Sequence, residues 1–221
     1  MGKIKSRAEP KERYRRPTPV LDERDRVLIV TEGKKTEPDY FQRLVDEFDL
    51  TTAVVVRIVG GGGPAPISVF DKTKSIVDSD EDYEYIYCVF DRDQHESYGR
   101  AIENIAQLAR SKKFKGKTVM AITSVPCFEF WYMLQVFETA KSYESAAKLI
   151  ADLKKHELFK NYNKKGCGAF FEKISSMRKA AKKRAERILK DAKRTSQREY
   201  YEKPSTRVHL VVNALEKISE M

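Results

Sequence analysis

Little in this sequence offers a covalent or membrane-bound route to stability. Only 3 of its 221 residues are cysteine. Cys88, Cys127 and Cys167 are odd in number, lie far apart and form no CxxC pair, which argues against a disulfide framework or a cysteine zinc site. No apolar run approaches the ~18 residues that span a bilayer, so no membrane association is expected. No apolar stretch follows the opening MGKIKSRAEPKERYRR, so a secretory signal is not expected and a cytoplasmic location is the default. The glycine run Gly60–Gly63 lacks a following GK[ST], so it is no Walker phosphate loop. There is no internal repeat.

What remains is a polar chain with a core. It is 41% hydrophobic and 34% charged, with enough aromatic and branched residues to exclude wholesale disorder. Its length fits one domain, or one domain with an appendage. The net charge of +10 is unevenly spread. Residues 1–16 hold 7 Lys/Arg against 2 Asp/Glu, residues 17–152 hold 17 against 23, and residues 153–221 hold 19 against 8. An acidic centre is thus flanked by basic ends. Basic surfaces attract phosphates through counterion release, so nucleic acid, RNA or DNA, is the expected partner. An acidic centre suits carboxylates gathered around a divalent cation.

Residues 1–22, charged and holding Pro10, Pro17 and Pro19, read as a flexible basic arm. Four short apolar runs read as buried strands: residues 26–31, 53–59, 83–90 and 118–123. Helical patterns alternate with them. The first opens at Thr36, a candidate cap, with Pro38 in the first turn and Glu37 and Asp39 suiting its positive end. Others cover 66–78, 94–112 and 128–137. Continuous apolar strands alternating with helices predict a four-stranded, mostly parallel α/β sheet flanked by helices over residues 23–140. Residues 141–221 read as a basic helical C-terminal subdomain packing on it. Its helices are expected over 142–156, 170–193 and a last one capped by Ser205-Thr206.

Ligands of open α/β sheets sit beyond the carboxyl ends of the strands. Glu32 directly follows the first strand, and Asp91 and Asp93 follow the third. Two residues apart in extended backbone, Asp91 and Asp93 point the same way. Clustered carboxylates of this kind form an open site for Mg²⁺ (or Mn²⁺) and phosphoryl chemistry. An isolated DxD often does no more than cap the next helix; the combination on two strands of one unit is far more specific.

These residues resemble a Toprim-type catalytic domain, whose pattern is a glutamate after the first strand and a DxD after the third. Val30-Thr-Glu-Gly-Lys-Lys-Thr-Glu-Pro-Asp-Tyr-Phe41, Val89-Phe-Asp-Arg-Asp-Gln-His95, Ser124-Val-Pro-Cys-Phe-Glu-Phe-Trp131 and Lys203-Pro-Ser-Thr-Arg-Val-His209 together resemble the RloB-like family of bacterial defence proteins. The resemblance implies a metal-dependent nuclease effector working beside an AAA/ABC-type ATPase in an anti-phage system. It implies metal-holding or acid/base roles for Glu32, Asp91 and Asp93, and a site role for Glu129. Toprim enzymes often carry a third acidic residue in the motif; here that position is His95.

Other candidates keep two readings each. Glu129 is either a site carboxylate or a helix-dipole complement worth about 0.3–1 kcal/mol. His95 is either a phosphate or acid contact or a solvent-facing first-turn residue. Lys34 and Lys35 either clamp phosphate at the mouth of the site or belong to an exposed turn. The glycine run reads as a mobile turn. Phe128, Phe130, Trp131 and Tyr132 read as core, with one ring free to stack on a base. The stretch 178–187, with Lys182, Lys183, Arg184 and Arg187, suits tracking a nucleic-acid backbone, and Lys203, Thr206 and His209 are further phosphate contacts by resemblance. The alternative to an enzyme is a catalytically weak nucleic-acid-binding or regulatory subunit of the ATPase complex. Self-association into a homo-oligomer stays open.

Overall fold

The structure, a computed structural model, describes residues 26–50, 54–63, 65–79, 82–92, 95–164, 167–168, 170–195 and 198–220. The basic arm of 1–22 and Asp93 lie outside the described residues.

The apolar runs form the strands β1 (Arg26–Thr31), β2 (Val55–Val59), β3 (Tyr85–Asp91) and β4 (Thr118–Val125). Between them lie α1 (Thr36–Glu47), α2 (Pro66–Asp78) and α3 (Tyr98–Arg110). Then follow α4 (Glu129–Val136), α5 (Ala146–Leu153), α6 (Phe171–Ser175), α7 (Arg178–Thr195), β5 (Ser205–Thr206) and α8 (Val208–Ser219). The sheet has five strands in the order β2-β1-β3-β4-β5, parallel throughout except for the antiparallel β5. The four expected strands and their parallel pairing are present.

Three expectations are corrected. Ser205-Thr206 is a fifth strand, not a helix cap; it pairs with Val125 and Ser124. The helix expected over 170–193 is two helices, broken between Ser175 and Arg178. Thr36 is the first residue of α1 and makes no capping bond, the cap position being Lys35.

Side chains alternate across the sheet as a pleated strand requires. Val27, Ile29, Tyr87, Val89 and Ile122 face a layer built from α1 and α4 through α8. Leu28, Val30, Ile86, Cys88, Phe90, Val119 and Ala121 face α2 and α3. Both faces are covered, which is why the strands read as unbroken apolar runs. The C-terminal region is therefore no appendage: its helices supply much of one core layer, and β5 extends the sheet. Arg178 fixes the start of α7 to the end of α1. Its guanidinium bonds both oxygens of Glu47 at 2.9 and 2.6 Å and lies over the rings of Phe48 and Phe171.

Candidate active-site cleft

The chain leaves β1 to form β2 on one side, then returns to form β3 on the other. The carboxyl ends of β1 and β3 are thus the point where strand order reverses, the place where such sheets leave a crevice. Glu32 and Asp91 stand there. The Glu32 N–H donates to the Val89 carbonyl (2.9 Å), continuing the ladder past β1. The Asp91 N–H donates to Glu32 Oε2 at 3.2 Å. The two acidic residues are thereby held side by side at neighbouring strand ends.

A cleft of about 370 Å³ opens at this point, lined by Glu32, Lys34, Lys35, Glu37, Asp91, Glu129 and Lys164 among others. Sequence reasoning placed Glu32, Asp91, Glu129, Lys34 and Lys35 around one site, and all five line this cleft. Lys34 and Lys35 are exposed at its edge. Glu129 opens α4 and is only 2% exposed. Its Oε1 accepts from the Tyr162 hydroxyl at 2.9 Å and lies 3.5 Å from the Lys164 ammonium. Burial opposes the charge on Lys164, but Glu129, with Cys127 and Asp91, outweighs it and raises that ammonium above the usual lysine range.

Glu37, Tyr162 and Lys164 were not singled out for the site from sequence. Glu37 was read only as a dipole complement, yet it is buried in the cleft wall. Burial pushes its carboxyl up from the ordinary glutamate range, the charges of Glu129 and Glu32 push the same way, and its own backbone N–H and Lys164 oppose them. The turn leaves Glu37 room only because residue 33 is glycine: a Cβ there would lie 2.1 Å from Glu37 Oε2. A glutamate in the first helical turn, one short turn beyond a strand-end Glu-Gly, is the signal that marks it. Tyr162 and Lys164 carry no such signal. Their loop is brought in by Cys167, whose N–H donates to Asp39 Oδ2 at 2.6 Å.

The glycine run, read from sequence as a turn, is hydrogen-bonded to the β1–α1 turn. Gly61 N–H donates to the Gly33 carbonyl (2.9 Å) and Gly62 N–H to the Thr31 carbonyl (3.0 Å), so the run buttresses the β1–α1 turn. Gly61 has φ +71, and a Cβ on Gly60 would lie 2.6 Å from Pro38 Cγ.

Several expected contacts fall elsewhere. His95 is exposed and does not line the cleft. Thr206 and His209 are each 1% exposed, so neither presents a surface to a strand. Thr206 belongs to β5, where its hydroxyl meets Ser124 Oγ at 2.9 Å. Phe128, Phe130, Trp131 and Tyr132 are all buried, which leaves no ring free to stack on a base. Lys182 is tied to Glu216, and Arg184 donates to the Leu134 and Gln135 carbonyls at the end of α4. Lys183 and Arg187 are exposed, Arg187 bonding Glu138 at 2.7 Å. Arg92, between the two aspartates in sequence, does not line the cleft. Its Nη1 donates to the Tyr201 carbonyl (2.7 Å), and its guanidinium lies 4.5 Å from the Tyr201 ring centre and 5.9 Å from that of Tyr98.

Among the described residues, no three His, Cys, Asp or Glu side chains form a group that could hold a metal ion by themselves. The donors in the cleft are carboxylate oxygens. An oxygen-preferring divalent ion that takes one or two carboxylates and completes its shell with water or phosphate oxygens fits this donor set. Four carboxylates, Glu32, Glu37, Asp91 and Glu129, face three lysines, Lys34, Lys35 and Lys164, across the cleft.

An open α/β sheet with an acidic crevice at its switch point defines the class of this protein, and the arrangement is consistent with a Toprim-like fold. The family model described as RloB-like protein matches residues 27–215, and the chain belongs to that family. No curated protein and no solved structure matches the chain. Among the described residues, no helix is long and apolar enough to cross a membrane.

Proposed function

We propose that the chain hydrolyses phosphodiester bonds of RNA or DNA in the switch-point cleft, with Mg²⁺ or Mn²⁺ as cofactor. The observation that carries this reading is the pairing of Glu32 with Asp91 at adjacent parallel strand ends, in a cleft that also holds Glu37, Glu129 and lysines. Glu32 and Asp91 would hold the ion, with Asp93 next to them in sequence as a further candidate. When bound, the ion supplies a Lewis acid for a phosphoryl oxygen and lowers the pKa of a bound water. The chain's own groups do the rest. Lys34 and Lys35 draw the phosphate to the mouth. Tyr162 orients the buried Glu129 carboxylate, and Lys164 balances its charge. Glu37, a carboxyl buried in the cleft wall, is the group placed to deliver a proton to the leaving oxygen. A role as defence effector beside an AAA/ABC-type ATPase rests on family membership alone.

The test is cleavage of end-labelled RNA and DNA with and without Mg²⁺ or Mn²⁺. Asp91→Asn and Glu32→Gln should fall to background while keeping the wild-type circular dichroism spectrum; full cleavage by both would end the assignment. A second reading, a nucleic-acid-binding or regulatory subunit, is favoured by one observation: His95, at the third position of the acidic motif, is exposed and does not line the cleft. Calorimetry separates the two. Nucleic-acid binding without Mg²⁺ or Mn²⁺ binding supports the second.

A further inference from the structure

Helix α7 carries nine Lys/Arg and two Asp/Glu; Lys193 lies 3.6 Å from Glu199, and the other eight cations divide into two sets by direction. Arg178, Lys182 and Arg184 are spent on the fold, bonding Glu47, Glu216 and the end of α4. Lys179, Lys183, Arg187, Lys190 and Arg194 are all exposed. At ~100° per residue these five fall within an arc of about 80°. That arc lies opposite Ala181, Ala185, Ile188 and Leu189, which are buried against the core. These five form a continuous cationic stripe along the helix, with the exposed acids Glu186 and Asp191 at its two margins. The stripe runs about 22 Å at ~1.5 Å per residue.

Like charges four residues apart destabilise a helix, so a stripe of five cations with acids only at its margins is costly to the fold itself. The stripe repeats like charges at intervals of four, four, three and four. Arg187 and Arg194 bond exposed acids, Glu138 and Asp191, through pairs that contribute little. Among the described residues, Lys179, Lys183 and Lys190 have no ion-pair partner. No residue of α7 lines the cleft.

We infer that the outer face of α7 is a docking surface for the sugar–phosphate backbone of a nucleic-acid strand, separate from the cleft. A protein partner fits it poorly: protein interfaces are depleted of lysine at their centres and rely on aromatic or apolar anchors, and this face offers none. Evenly spaced point charges without base-reading side chains suit a repeating polyanion held without sequence preference. The inference deepens the function proposed above and rests on its nucleic-acid substrate.

The experiment measures fluorescence anisotropy of a labelled 20-nucleotide RNA, and of a DNA duplex, across a salt series in EDTA. It uses the full chain carrying Asp91→Asn so that cleavage cannot intervene. Adding Lys179→Gln, Lys183→Gln and Lys190→Gln should weaken binding at least tenfold near 0.1 M salt. The log–log salt slope should become shallower by about 2 for the single strand and about 3 for the duplex. The triple Lys→Arg variant should bind like its parent. All three positions are exposed, and an unchanged thermal melt will confirm that folding is intact. Equal affinity and slope in the Gln variant overturn this docking surface and leave the cleft assignment standing. A parent that binds neither probe overturns the nucleic-acid reading itself. Competition by polyglutamate as effective as by RNA overturns the backbone assignment in favour of a general anion surface.

Discussion

Replacing Glu202 by Gln tests how the C-terminal segment is fastened to the sheet. The side chains of Glu202 and Arg207 are 0% and 2% exposed. One guanidinium nitrogen, Nη2, reaches both carboxylate oxygens at 3.0 and 2.9 Å, and Nη1 donates to Thr123 Oγ1 at 3.0 Å. The Arg207 N–H donates to the Thr123 carbonyl, and its guanidinium lies 4.0 Å from the Tyr200 ring centre. Taking two charges out of water offsets most of their attraction, so the pair itself adds little net stability. Removing one partner is different, because the other charge stays buried without compensation, at a cost of about 3–5 kcal/mol. For a chain of this size each kcal/mol moves Tm by ~2–4 °C, so Glu202→Gln should melt roughly 6–20 °C lower by calorimetry. Adding Arg207→Met should recover much of that loss, since no buried charge then remains. A Glu202→Gln protein melting within about 2 °C of wild type would refute the reasoning, because even the smallest cost above exceeds it.

Two further outcomes follow from buried groups. Burial, with the nearby Arg207 charge, lowers His209 from 6.5 to about 4, while Glu186 and a Thr206 backbone contact oppose the shift. The unfolded chain therefore binds this proton first. The stability that neutral His209 contributes is complete above pH 6.5 and is lost as pH falls toward 4, by about 3 kcal/mol at ~1.4 kcal/mol per unit. The Tm of wild type should accordingly fall more steeply than that of His209→Gln between pH 7 and 4.5; parallel curves would contradict the burial argument. Tyr162→Phe keeps the ring packed on Phe159 and Phe170 but strips the buried Glu129 of its hydroxyl donor. A hydrogen bond to a charged group is worth ~1.5–3 kcal/mol, so a loss of unfolding free energy of that size is expected by chemical denaturation. No shift would mean that the bond is not formed in solution.

The parts of the fold that sequence revealed are those whose cause is local. Continuous apolar runs such as 26–31 and 83–90 suit a sheet covered on both faces, and the carboxylates beyond their ends follow from strand direction. What stayed hidden depends on distant partners. Ser205 and Thr206 are polar and look like a cap; they are a strand because Ser124 and Val125 offer an open edge. Lys182 and Arg184 look like their neighbours Lys183 and Arg187, and only the packing of α7 on α4 and α8 sorts one pair inward. His209 sits in a motif that resembles a phosphate contact, but the helix it opens turns it into the core. Glu37 serves a helix dipole equally well in or out of a cleft, so its position had to come from the fold of the Gly33 turn.

The clasp between Arg92 and Tyr201 links parts of the chain 109 residues apart. Arg198 grips the same ring from 4.5 Å and bonds Glu103 on α3, so the tail is moored at two points beside the acidic strand end. Asp91 is joined to Arg92 by a single peptide unit. The segment that follows α7 is thus anchored one residue from the carboxylate that ends β3, although Arg92, Arg198 and Tyr201 do not themselves line the cleft.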